Sequence, residues 1–75
     1  MALQQFNSSL IAAADWSDGT LTVEFDDGTR YRYEGVSEYT WQRMQHAPSK
    51  GKFFHTELKG RYRTERVRED DQIST

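Results

Sequence analysis

Thr20-Leu21-Thr22-Val23-Glu24-Phe25 is the stretch that decides the fold, because polar and apolar residues alternate through it without a break. A period of two puts Leu21, Val23 and Phe25 on one face of a strand, and Thr20, Thr22 and Glu24 on the other. Turn chemistry brackets the stretch: Ser17-Asp18-Gly19 precedes it and Asp26-Asp27-Gly28 follows it. Asp-Gly tolerates the left-handed backbone that tight hairpins require. Arg30-Tyr31-Arg32-Tyr33 then alternates again, with both tyrosines on one face. Upstream, Ser9 to Trp16 reads as a first strand despite its three alanines. The three strands form an antiparallel meander.

After Tyr33 the period changes. Val36 and Ser37 have the chemistry of a hydrophobic staple and an N-cap, and Glu38 suits a first helical turn. The pattern predicts a helix over Tyr39 to His46, with Val36, Tyr39 or Thr40, Met44 and Ala47 facing inward. Pro48 stops it. Ser49 caps a second helix, expected over Lys52 to Lys59, which buries Phe54 and Leu58 and leaves Phe53 nearer the surface. Gly60 ends that helix. Arg61 to Val67 reads as an extended segment. The expected fold is α+β: a three-stranded antiparallel meander followed by two helices packed on one face. Residues 1–7 form a lead with Leu3 and Phe6 as anchors, and residues 68–75 form an acidic tail expected to be disordered.

Seventy-five residues suffice for one domain with a small core, to which oligomerisation is a natural supplement. There is no cysteine, which excludes a disulfide framework and a thiolate zinc site. The absence of a long apolar run or a leader-like start gives the expectation of a soluble, cytoplasmic protein without a membrane partner. The net charge is −2. Its distribution is uneven. Residues 1–41 hold two basic residues against seven acids, and residues 42–75 hold eight against five. The second half can present a positive face to an anion.

Ala47-Pro-Ser-Lys-Gly-Lys-Phe-Phe54 concentrates that possibility. Ser49, Lys50, Gly51 and Lys52 supply a hydroxyl, helix-start amides and two cations, the parts of a phosphate or carboxylate site. The alternative is that Ser49 only caps a helix and Gly51 relieves a corner. Phe53 can stack on a base, as can Tyr31, Tyr33 and Tyr62, though each tyrosine can equally pack under a helix. Arg32 is either a cross-strand ion pair with Glu24 or a phosphate contact. Lys59, Arg61 and Arg63 extend the positive surface. Trp41 reads as core before it reads as an interface anchor. His46 and His55 lack metal-ligand spacing, no Ser/His/acid set is recognisable, and Asp26-Asp27 is turn chemistry. No catalytic residue, metal or cofactor is expected.

The order Ser8-Ser9-x-Ile11, Trp16, Leu21-x-Val23-x-Phe25-x-x-Gly28-x-x-Tyr31-x-Tyr33, Val36, Ala47-x-Ser49-x-Gly51-x-Phe53-Phe54, Leu58 and Tyr62 resembles the KTSC domain over residues 8–67. That family occurs alone and at the C-terminus of some lysyl-tRNA synthetases. Trp16, Ala14 and His55 depart from its usual residues. The resemblance implies an RNA-binding role. The first expectation is therefore a non-enzymatic module for a phosphate-bearing ligand, chiefly RNA. It would act through Tyr31, Arg32, Tyr33, Ser49, Lys50, Gly51, Lys52, Phe53, Lys59, Arg61 and Tyr62. Two rivals stand beside it: capture of a small nucleotide signal, phage- or bacterium-encoded, by a homo-oligomer, and a protein-interaction module.

Overall fold

The computed structural model describes residues 3–6 and 10–67. The expected tail, and the Ser8 and Ser9 positions of the motif, lie outside them. The order is β1 (Gln4–Gln5), β2 (Ile11–Ser17), β3 (Thr20–Phe25), β4 (Arg30–Glu34), α1 (Glu38–His46), α2 (Lys50–Phe53), a π-helical continuation (Phe54–Leu58) and β5 (Arg63–Val67). All neighbouring strands are antiparallel, in the sheet order β1-β2-β3-β4-β5.

The central meander follows from its turns. Ser17 pairs with Thr20 across a two-residue loop, and Asp18 and Gly19 take φ values of 49° and 85°. Both are left-handed, as the mirror-image hairpin turn demands. At the next turn Asp27 Oδ1 accepts from the Thr29 amide at 3.0 Å and the Thr29 hydroxyl at 2.7 Å. These bonds hold the Asp27 carboxyl below its ordinary pKa. Leu21 pairs with Tyr33 and Val23 with Tyr31, so the apolar face is continuous across the two strands.

The sheet has five strands rather than three. Residues 4–5 pair with Ala13 and Ala14 of β2, and Arg63–Val67 pairs with β4 along its whole length. Neither added strand carries an apolar stripe. Both are edge strands whose exposed side chains are polar, the composition that keeps edges from pairing with other chains. On the sheet's outer face Arg30 pairs with Glu24 at 3.2 Å and Arg32 with Glu65 at 3.0 Å. Such half-exposed pairs contribute roughly 0–1 kcal/mol each.

The helices cover the other face. Ser37 caps α1, accepting from the Thr40 amide at 3.1 Å. Tyr39 is 70% exposed, so Thr40, and not Tyr39, faces the sheet side. The second helix starts at Lys50, two residues before the expected position, because Ser49 Oγ accepts from the Lys52 amide at 3.2 Å. At Phe54 the helix widens. The Thr56 hydroxyl donates to the Lys52 carbonyl at 2.6 Å, occupying the acceptor of a regular helical bond. The Lys59 amide reaches back to the Phe54 carbonyl at 2.9 Å, the five-residue spacing of a π-helix. Gly60, at φ 74°, ends the helix.

Ile11, Leu21, Val23, Val36, Met44 and Leu58 are fully enclosed between the layers. Burying a side chain of this size contributes roughly 1.5–3 kcal/mol. Phe53 and Phe54 are both buried, at 9% and 8% exposure, which corrects the expectation that Phe53 lies near the surface. Phe54 faces the aromatic side chains of the sheet, while Phe53 lies beneath the Arg43 guanidinium of α1, 5.4 Å from its ring centre. Trp41 packs against the core with Phe6, their ring centres 6.5 Å apart.

Candidate functional site

Where β3, β4 and β5 meet the π-helical turn, the layers part into a groove of about 280 Å³. Its walls are aromatic. Phe25 meets Tyr31 at 5.8 Å and Phe54 at 5.2 Å, and Phe54 meets Tyr33 at 5.9 Å, all edge to face. Edge-to-face contact sets the edge of one ring on the face of the other and so fixes ring orientation. Lys59, Gly60 and Thr64 complete the lining. Arg66 pairs with Tyr31 across β4 and β5, so it stands on the same face of the sheet.

Tyr31 and Tyr33 differ in burial. Tyr31 is half-buried, whereas Tyr33 is 4% exposed. Burial, with a smaller contribution from the neighbouring Tyr31, pushes the Tyr33 phenol up to about 12. Tyr33 is therefore a neutral hydroxyl at physiological pH.

The Ser49–Phe53 corner is arranged differently. Lys50 Nζ donates to the Ala47 carbonyl at 2.6 Å and the Gln45 carbonyl at 3.2 Å, and it stands 5.0 Å from the centre of the Phe6 ring. Its charge serves the C-terminal end of α1, where a cation is favoured. Ser49 is occupied as a cap, and Gly51 lies against Leu10, whose side chain would be 3.5 Å from an added Cβ. Lys52 is exposed. A shallower depression of about 240 Å³ runs here between Pro48, Lys52, Phe53 and Glu57. Arg43, which is not among the site residues expected from sequence, lies over the Phe53 ring and pairs with Glu57 at 3.2 Å. That hydrogen-bonded pair pushes the guanidinium further up in pKa.

The residues singled out from sequence therefore do not form one site. Tyr31, Tyr33 and Lys59 line the groove, whereas Ser49, Lys52 and Phe53 line the separate depression. Arg32 is paired with Glu65 on the opposite face of the sheet, not with Glu24. Arg61 Nε donates to the Thr56 carbonyl at 2.9 Å and closes the helix end. Tyr62 is half-buried against the core. Phe25, Phe54 and Thr64 also line the groove without having been singled out as site residues. Phe25 was legible in principle, since it continues the tyrosine face, but Thr64 required knowledge of β5. Among the described residues no group of three or more His, Asp or Glu side chains is placed to hold a metal. No helix among them is long and apolar enough to cross a membrane.

The KTSC domain family profile matches residues 7–62. The chain belongs to the KTSC domain family. A solved KTSC domain protein from Yersinia pestis superimposes with a TM-score of 0.83 and 31% identity, covering 89% of this chain and 97% of that one. The lysine–tRNA ligases of Trichormus variabilis and a Nostoc species are each 42% identical to this chain over 48 residues. That stretch is 64% of this chain but only 9% of either ligase. This KTSC chain thus spans a small fraction of the curated relatives that it matches.

Proposed function

We propose that this KTSC domain is a non-catalytic module that binds RNA through the groove between β4, β5 and the π-helical turn. The observation that carries the reading is the aromatic lining with Lys59 beside it, a combination that suits a stacked base with an adjoining phosphate. Arg66, in register with Tyr31, adds a second positive charge on that face. The similarity to proteins named for ligating lysine to tRNA supports RNA as the ligand class. The engagement of Lys50 and Ser49 within the fold favours the groove over the Ser49–Lys52 corner as the contact surface.

Fluorescence anisotropy with an end-labelled unstructured RNA, titrated at several salt concentrations, tests the reading. Affinity is expected to fall as salt rises. It is also expected to fall with Tyr31→Ala and with Lys59→Ala. Binding that ignores salt and both substitutions would overturn the proposal.

A further inference from the structure

Among the described residues the Tyr33 hydroxyl has no hydrogen-bond partner, yet no buried side-chain oxygen or nitrogen among them lacks one. The small exposed part of Tyr33 therefore includes its hydroxyl, and Tyr33 lines the groove. At its Tyr33 end the aromatic slot thus offers a hydroxyl that can both donate and accept. Its volume of about 280 Å³ is at the low end for ligand pockets, roughly 300–1,000 Å³. That space suits one ring system and not a stack of several.

We infer that the groove seats a single unpaired nucleobase, stacked against Tyr31 and read at its edge by the Tyr33 hydroxyl, with Lys59 on the adjoining phosphate. This rests on the RNA-binding reading and deepens it. Tyr33 becomes the specificity-determining residue, whereas Tyr31 and Lys59 supply affinity without regard to sequence. A base inside a duplex has both faces covered by its neighbours, so duplex RNA is excluded from the seat. The shared chemistry is a base bearing a phosphate, which either a single-stranded RNA or a free nucleoside monophosphate provides.

The test titrates the protein with hexamers of each of the four ribonucleotides, a hexamer with one abasic position, a blunt RNA duplex and the four free nucleoside monophosphates. One hexamer is expected to bind more tightly than the other three, and the duplex more weakly than all of them. Loss of a stacked base is expected to weaken binding roughly ten-fold. Tyr33→Phe preserves the ring and should level the preference among the hexamers while leaving the salt dependence intact. Equal affinity for the four hexamers, or a preference that survives Tyr33→Phe, would overturn the base seat while leaving RNA binding standing. Binding of the monophosphates alone would retain the seat and overturn RNA as its source. No binding of any probe would overturn both readings.

Discussion

The Ser49–Phe53 corner and the sheet–helix groove contain the same kinds of residue, cations beside aromatic rings, yet they do opposite things with them. At the corner, Lys50 donates to two carbonyls and Ser49 takes an amide proton. Phe53 is covered by Arg43. In the groove, the Tyr33 hydroxyl has no partner among the described residues and Tyr31 is half-exposed. A basic, aromatic composition marks a site only after internal bonds have been accounted for. The corner spends Ser49 on capping α2 and Lys50 on the end of α1, whereas the Tyr33 hydroxyl of the groove is left unengaged among the described residues.

The largest break in this comparison comes from Phe54, because it belongs to both the groove wall and the core. Phe54→Ala is expected to destabilise the domain by about 3–5 kcal/mol, read from chemical denaturation. A loss under 1 kcal/mol would mean that the π-helical turn collapses onto the sheet and that the groove is not held open by this ring.

Tyr33 gives a pH-dependent effect. Its folded pKa, about 12, lies above the ordinary value of 10.0. The unfolded chain therefore loses this proton first, and the stability due to the buried neutral phenol is intact below pH 10. It is lost between pH 10 and about 12, by well under about 1.4 kcal/mol for each pH unit in that window, because the hydroxyl opens to solvent in the groove. Tyr33→Phe should flatten that part of the stability–pH curve. An unchanged slope would show that the phenol is solvated in the folded protein.

At the corner, Lys50→Met is expected to lower stability by about 1–2 kcal/mol, through the two carbonyls left without their charged donor. RNA affinity should stay constant under conditions where the variant is fully folded. The reverse pattern, full stability with weakened binding, would return the phosphate contact to the corner.

These differences also mark what could be read from the chain. The β2–β3–β4 meander and α1 were legible because turn residues, strict alternation and caps agree with one another in the sequence. β5 was not recognised as part of the sheet, because its residues Arg63 to Arg66 are exposed and an edge strand needs no apolar face. Ser49 caps α2 as its chemistry implies, and the helix starts at Lys50 and not at the expected Lys52. The burial of Phe54 was legible in its i, i+4 spacing with Leu58, whereas that of Phe53 was not. The latter depends on Arg43 of α1 lying over the Phe53 ring, a property of packing and not of local spacing. Lys50 illustrates the same limit at the site. Its sequence position says that a cation is present, whereas only the fold reveals that two carbonyls already hold it.

Lys59 gives the smallest effect on stability and the sharpest contrast. It is exposed beside the groove, and no ion pair or hydrogen bond of its side chain exists among the described residues. Lys59→Ala should therefore change folding stability by less than about 0.5 kcal/mol. If it contacts one phosphate, the substitution should reduce the dependence of log affinity on log salt by roughly one unit. It should also weaken binding to all RNA sequences by a similar factor, since a phosphate contact carries no base information. Placed beside Lys50→Met, this substitution separates a lysine that serves the fold from one left free for a ligand. An unchanged salt slope in Lys59→Ala would assign the phosphate to another cation on the groove face, and Arg66 would be the next residue to replace.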